Sequence, residues 1–274
     1  MTDVSAALRG AAQRLAPVSD TPRLDAELLM AHALGVERQA LLLDPARFIV
    51  PDRFADLMLL RMRHEPIAYI LGYRDFWTIR LKVGPGVLIP RPDSETLIEK
   101  ALQHFGPSGP KHILDLGTGP GTLLFAALSE WPAARGVGVD ASAAALDYAK
   151  ANARALGMEG RTRLLLGDWT SGIEGPFDLI FCNPPYIAES EVLMPDVADH
   201  EPPGALFAGA DGLDDYRRII PDLPRLLAPG GAAILEIGAT QHMLVRQLAE
   251  AAGFAVACTR DLGGRDRALK LTRA

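Results

Sequence analysis

Two cysteines, Cys182 and Cys258, are all that the 274 residues contain. So few exclude a disulfide framework, and their separation fits no metal-binding spacing, so no metal is expected. Both lie in apolar runs and read as buried free thiols. The chain also lacks any long run of one charge. Its 28 basic and 34 acidic residues leave a net charge of −6. An enzyme that tracks a duplex carries a basic stripe, and without one no direct nucleic-acid partner is expected. No 18-residue apolar run and no signal-peptide pattern occur, so neither membrane contact nor secretion is expected and the cytoplasm is the anticipated compartment. Internal repeats and low-complexity tracts are absent as well.

What is present is a chain 49% hydrophobic, long enough for one large domain or two smaller ones. Residues 1–65 read as helices only. Val4, Leu8, Ala11, Ala12 and Leu15 recur at helical spacing. Thr21 before Pro22 reads as an N-cap and first helical position, with Gly35 closing that helix. Asp52 to His64 gives another amphipathic stretch, which Pro66 ends. The division expected is a helical bundle over 1–73, a β-hairpin linker over 74–92 and a catalytic domain over 93–274. In the linker, Ile79, Leu81 and Val83 alternate, Gly84-Pro85-Gly86 turns the chain and Val87-Leu88-Ile89 returns. Asp93 then caps a helix running through Leu102. From His112 onward strands alternate with helices, with strands expected over 113–116, 136–140, 164–167, 177–182, 232–237, 254–258 and 268–271. That alternation implies an α/β fold with a parallel sheet covered on both faces. The last two strands have no helix between them and form an antiparallel edge hairpin.

Four segments carry chemistry. Asp115-Leu116-Gly117-Thr118-Gly119-Pro120-Gly121 follows an apolar strand and opens a helix, where glycines let backbone approach a ligand. A dinucleotide fingerprint would need glycine where Thr122 stands. An acidic residue before a G-x-G-x-G loop instead suits the amino-acid end of S-adenosylmethionine, whose ammonium needs acceptors. Asp140 ends the next strand, where a carboxylate can accept both ribose hydroxyls; the alternative is capping of the helix starting near Ser142. Gly167-Asp168-Trp169 follows the third strand. Asp168 could accept from an adenine amino group and Trp169 could pack on the ring, or the pair is a core tryptophan beside a cap. Last, Asn183-Pro184-Pro185-Tyr186 follows the strand at 177–182. A planar amino nitrogen has a delocalised lone pair and is a poor nucleophile. The Asn183 side-chain oxygen and the Pro184 carbonyl can each accept one of its hydrogens and hold it for in-line transfer. Pro184 and Pro185 stiffen the backbone that aims that carbonyl, and Tyr186 can stack on the planar group. His200 and Glu201, before Pro202-Pro203, read as a solvated loop.

From about Glu65 to Leu271 these residues resemble the bacterial glutamine methyltransferases of peptide chain release factors. The resemblance rests on Glu65-Pro66-Ile67-Ala68-Tyr69-Ile70-Leu71-Gly72, on Val87-Leu88-Ile89-Pro90-Arg91-Pro92-Asp93-Ser94-Glu95, on the glycine loop, on Asn183-Pro184-Pro185-Tyr186-Ile187 and on Asp261-Leu262-Gly263-Gly264-Arg265-Asp266-Arg267. It implies a Rossmann-like class I methyltransferase domain behind a small helical domain that recognises the substrate. It also implies transfer of methyl from S-adenosylmethionine to the glutamine of a Gly-Gly-Gln loop. Gly117, Thr118, Gly119, Pro120, Gly121, Asp140, Asp168, Trp169 and Asn183 would bind the cofactor. Asn183, Pro184, Pro185 and Tyr186 would hold the acceptor amide. Three positions depart from the commoner pattern: Pro120 replaces a serine or threonine, Ser94 a threonine and His200 an aromatic residue. The rivals are an adenine-N6 methyltransferase of nucleic acid, which shares the Asn-Pro-Pro-Tyr segment, and a module that binds the cofactor without catalysis.

Overall fold

A computed structural model describes residues 3–273. By internal packing the chain divides into two units. One runs up to Tyr73 and includes Leu193–His200; the other is Arg74–Val192 together with the chain from Glu201 onward.

The first unit contains α1 (Val4–Leu15), α2 (Pro22–Leu34), α3 (Arg38–Leu43), α4 (Arg53–Met62) and α5 (Ile67–Leu71). Val4, Leu8, Ala11 and Leu15 are the buried face of α1, as their spacing predicts. Gly35 closes α2 in the left-handed region. Thr21 does occupy the N-cap, but its hydroxyl donates to Asp25 Oδ1 at 3.1 Å and caps no helix N–H. Asp25 needs that help because it is buried, as are Glu27 and Arg61. Arg61 Nε donates to Asp25 at 2.8 Å, and its Nη2 reaches Asp196 at 2.8 Å and the Val18 carbonyl at 2.9 Å. One guanidinium therefore ties α2 and α4 to the Leu193–His200 segment.

In the second unit β1 (Tyr73–Phe76) and β2 (Ile79–Lys82) form a two-stranded ribbon. This corrects the sequence reading, in which the return strand was Val87-Leu88-Ile89. The turn is Trp77-Thr78, with Trp77 at φ 54°, and Val87 to Ile89 is irregular chain. Asp93 does not cap α6 (Glu95–Phe105); it lies 3.3 Å from Arg267, and Ser94 holds the cap position without a capping bond. The chain continues through β3 (His112–Leu116), α7 (Thr122–Glu130), β4 (Arg135–Asp140), α8 (Ala143–Ala155), β5 (Thr162–Leu166) and β6 (Phe177–Cys182). After α9 (Pro195–Ala198), which falls in the first unit, come α10 (Asp214–Ile219), α11 (Leu223–Leu226), β7 (Leu227–Glu236), α12 (His242–Ala251), β8 (Phe254–Arg260) and β9 (Asp266–Arg273).

Among the described residues these strands make one seven-stranded sheet in the order β5-β4-β3-β6-β7-β9-β8. The first five are parallel, and β9 runs antiparallel to both β7 and β8. The strands of the sheet centre are mostly apolar because helices cover both faces. Ile113, Leu114, Leu116, Leu179, Ile180 and Phe181 are all fully buried. Strand order reverses between β3 and β6, and at such a switch point the loops part to leave a crevice outside the carboxyl ends.

Arg61→Ala should leave two carboxylates without their cation, one of them buried, at a cost on the order of 3–5 kcal/mol to the helical unit. Hydrogen exchange of α2 and α4 amides in the whole chain measures it. Protection equal to the wild type would show that the ion cluster does not hold that unit together.

Candidate active site

Register brings the chemistry-bearing ends together. Leu116 pairs with Val139 on one side and Cys182 on the other, and Asp140 pairs with Leu166. The residues that follow these four strand ends therefore emerge side by side, and they wall a cavity of about 420 Å³. Gly117, Gly119, Asp140, Asp168, Trp169, Asn183 and Pro185 all line it. An adjoining recess of about 40 Å³ is lined by Asp115, Thr118, Pro120, Arg91 and Ser94, and it shares Gly117, Gly119 and Asn183 with the cavity. Asn183 thus stands where the two spaces meet.

The glycine loop needs its glycines for different reasons. At Gly117, φ is 71° and a Cβ would sit 2.9 Å from the Trp169 ring. At Gly121, φ is 91° and a Cβ would drive into Phe125. Gly121 therefore serves the backbone, seating α7 at the end of the loop. The loop is knitted to β4: Gly117 N–H and Thr118 N–H both donate to the Val139 carbonyl, at 2.9 and 3.0 Å.

Asp140 does not cap α8; its carboxylate braces the backbone of two loops. Its Oδ1 accepts from Ser142 N–H and its Oδ2 from Gly119 N–H, each at 2.8 Å. Ser142 itself caps α8 by accepting from Ala145 N–H. A carboxylate oxygen has a second lone pair, so Asp140 still presents acceptors to the cavity it lines.

Trp169 is held at φ 49°, and its indole Nε1 donates to Asp215 Oδ1 at 2.9 Å. Asp168 pairs with Arg218, which also reaches Asp215 at 3.3 Å. Asp215 and Arg218 line the cavity too. Neither had a signal in the sequence, since both sit on the remote α10. Arg218 thus takes up part of the acceptor capacity of Asp168.

Asp115 is 1% exposed and accepts from Thr118 Oγ1 at 2.6 Å. Burial pushes its carboxyl up to about 7, against the hydrogen bonds from Thr118 and the Leu124 backbone. No cation is among the groups that shift it.

The Asn183-Pro184-Pro185-Tyr186 turn is braced from behind. Tyr186 OH donates to Glu236 Oε1 at 3.3 Å, and Arg267 Nη1 donates to the phenol oxygen at 3.5 Å. Gln241 Nε2 donates to the Tyr186 carbonyl at 2.8 Å. Pro184 is buried. On the other side of the turn Asn183 Nδ2 lies 3.4 Å from Ser94 Oγ, which in turn hydrogen-bonds Glu236 Oε2. Glu201, read from sequence as solvated, is 3% exposed. It accepts from Ile89 N–H at 3.0 Å and pairs with Arg91. The Arg-Pro-Asp-Ser segment and the loop after Tyr186 are joined through it. Cys182 is buried as expected, whereas Cys258 is only partly so.

The family model described as the PrmC N-terminal domain matches residues 6–72, and one described as a methyltransferase domain matches 108–260. A release factor glutamine methyltransferase of Caulobacter vibrioides is 42% identical over 255 residues, covering 90% of this chain and 88% of that protein. Its counterpart in Cereibacter sphaeroides is 44% identical over 268 residues, 95% of each chain. Among solved structures, the T. thermophilus 16S rRNA N2 G1207 methyltransferase in complex with AdoMet and guanosine superposes with a TM-score of 0.54. It is 20% identical over 74% of this chain and 50% of its own, a likeness of fold.

The raised Asp115 carboxyl has a consequence for stability. Its folded value of about 7 lies above the unfolded value of about 3.9. The stability it contributes is therefore complete below about 4 and is lost as pH rises through 7. Relative to Asp115→Asn, the wild type should lose up to about 2.5 kcal/mol between pH 5 and pH 8. Urea unfolding of both proteins at the two pH values tests this. Parallel pH profiles would mean that Asp115 titrates in its ordinary range.

Proposed function

The chain belongs to the release factor glutamine methyltransferase family, and on that premise we propose that it methylates the side-chain nitrogen of the glutamine in a Gly-Gly-Gln loop of release factors. The methyl donor is S-adenosylmethionine, which when bound supplies a methyl group made electrophilic by the adjoining sulfonium. The observation that carries the reading is the position of Asn183, at the junction of the cavity and the acidic recess.

The donor set fits that cofactor end by end. The Asp115 recess would take the ammonium, the Asp140 carboxylate the ribose hydroxyls, and Trp169 with Asp168 the adenine. The glycines leave the backbone bare where the ligand would lie closest. On the acceptor side, the Asn183 oxygen and the Pro184 carbonyl take the two amide hydrogens and so point the nitrogen along the line of transfer. The amide nitrogen would gain the methyl as the donor's carbon–sulfur bond gives its electron pair to sulfur, and one N–H proton leaves to water, so the motif needs no histidine. A glutamine between glycines suits a narrow site, because glycine lets the backbone bend and present the amide.

The helical unit is the part we assign to recognition of the protein substrate. It supplies no group to the cavity, yet the loop that follows Tyr186 sends Leu193–His200 into it. The sequence has no long run of basic residues, and its net charge of −6 gives little to neutralise phosphates. A nucleic-acid acceptor is disfavoured on that ground. No helix among the described residues is long and apolar enough to cross a membrane. A release factor substrate supports a cytoplasmic enzyme.

Mass spectrometry of whole release factor after incubation with enzyme and S-adenosylmethionine should find one added methyl on the Gly-Gly-Gln peptide. That methyl should vanish when the glutamine is changed to alanine. Asn183→Ala should stay folded and lose at least about a hundredfold in turnover, the scale on which misplacing a reactant costs rate. Methylation of DNA or RNA adenine with release factor untouched would overturn the assignment.

A further inference from the structure

Glu236 ends β7, is 1% exposed and touches neither the cavity nor the recess through any lining contact. Two hydroxyls converge on it. Ser94 Oγ bonds Oε2, and Tyr186 OH bonds Oε1 at 3.3 Å. Its backbone carbonyl is held by Tyr216 OH at 2.7 Å. The first and last residues of the acceptor tetrapeptide are therefore both tied to one carboxylate, Tyr186 directly and Asn183 through Ser94.

Proton counting fixes the direction of these bonds. An ionised carboxylate only accepts, and a hydroxyl has one proton to give. If Ser94 gives its proton to Glu236, its remaining lone pairs face Asn183. The 3.4 Å contact is then Asn183 Nδ2–H donating to Ser94 Oγ. The amide's oxygen is left pointing away from Ser94, free for an acceptor's N–H. Tyr186 obeys the same logic: Arg267 Nη1 donates to the phenol oxygen, whose proton goes to Glu236.

We propose that Glu236, acting through Ser94, sets which end of the Asn183 amide faces the methyl acceptor, so that Glu236 and Ser94 are positioning residues for the transfer. This deepens the reading above and rests on it. A reversed Asn183 would offer N–H to N–H, which repels an amide nitrogen instead of holding it. Burial pushes the Glu236 carboxyl up, and the Ser94 bond, the Arg267 charge and the Tyr186 bond only partly offset it, so it is the convergence of two hydroxyls with Arg267 nearby, not the direction of that shift, that favours the accepting form. Arg267 is itself held by Asp261 at 3.2 Å and Asp93 at 3.3 Å. Asp93 and Ser94 are neighbours in the Arg-Pro-Asp-Ser segment, so that segment contributes both to the carboxylate's cation and to its relay.

Glu236→Gln is the informative change, because it keeps the shape and adds a donor. The new amide can give its N–H to Ser94, which releases the Ser94 proton toward the Asn183 oxygen and turns the Asn183 amide round. Ser94→Ala removes the relay, and Ser94→Thr keeps the hydroxyl. Steady-state methylation of release factor should show kcat down at least about tenfold in Glu236→Gln and Ser94→Ala, the loss of roughly one directed hydrogen bond. S-adenosylmethionine affinity by calorimetry should stay within about threefold in Glu236→Gln, since Glu236 lines neither space, whereas the Ser94 variants, whose side chain borders the recess, are judged on turnover and on Ser94→Thr rescue. Ser94→Thr should recover most of the turnover. The double variant should be no slower than the worse single, because the two residues act in series. If Glu236→Gln does not fold, the Ser94 pair alone decides. Either single variant turning over within about threefold of wild type would overturn the proposal, as would additive losses or a Ser94→Thr protein as slow as Ser94→Ala. A wild type with no turnover on release factor would instead defeat the substrate reading, and this inference with it.

Discussion

Parallel strands leave their last backbone groups unpaired at one common edge of the sheet, and that edge must be satisfied by whatever loops follow. In this protein the loops satisfy it for one another. The Val139 carbonyl at the end of β4 takes N–H groups from the loop after β3. The Asp140 carbonyl takes Gly167 N–H from the loop after β5, and the Asp140 side chain takes Gly119 N–H. The cavity is therefore walled by segments whose positions are fixed by backbone bonding before any ligand arrives. Such a wall costs little reorganisation on binding, which is where precise transfer chemistry gains most.

Two buried carboxylates lie close to that wall, and the structure treats them in opposite ways. Glu236 has a full shell: two hydroxyls, with Arg267 a step beyond. Asp115 has the Thr118 hydroxyl and the Leu124 backbone N–H, but its charged neighbour is a carboxylate, Asp140, which pushes its carboxyl further up. A charge left short of partners is expensive inside a protein. The difference lies in the charge nearby, since Arg267 stands behind the Glu236 shell and Asp140 beside Asp115, and that difference suits the cationic ligand proposed for the Asp115 recess.

What the sequence made legible was local. The alternating strands, the glycine loop and the Asn-Pro-Pro-Tyr turn each follow from residues within a few positions, so period and turn chemistry found them. The strand set 113–116, 136–140 and 177–182 lies within the observed β3, β4 and β6. The ribbon was misjudged because Gly84-Pro85-Gly86 is a stronger turn signal than Trp77-Thr78. The tighter turn won, with Trp77 accepting a left-handed backbone. Asp93 was read as a cap because it precedes a helix, but a buried arginine from β9 claimed it. Glu201 and Glu236 were invisible for the same reason. Each finds its partners about 110 and 142 residues away, and no periodicity reports a contact at that separation.

Pro120 shows how a departure from a family's pattern can be absorbed. Proline brings no N–H to the loop, but its carbonyl is free, and Asn152 Nδ2 donates to it at 2.8 Å. Asn152 is 1% exposed and lies on α8. Its Oδ1 accepts from Lys82 N–H at 2.7 Å, and the same Nδ2 reaches the Lys82 carbonyl at 3.1 Å. One amide therefore fastens β2 and the glycine loop to the same helix. The ribbon also meets α6 and α7, where Glu95 accepts from Trp77 N–H at 2.9 Å and Glu130 from the Trp77 indole at 2.6 Å. A flexible connector would have no need of buried polar ties on three helices. The ribbon is instead a rigid flank of the catalytic unit, and it is the backbone of the glycine loop, not a side chain at position 120, that the surrounding structure is built to hold.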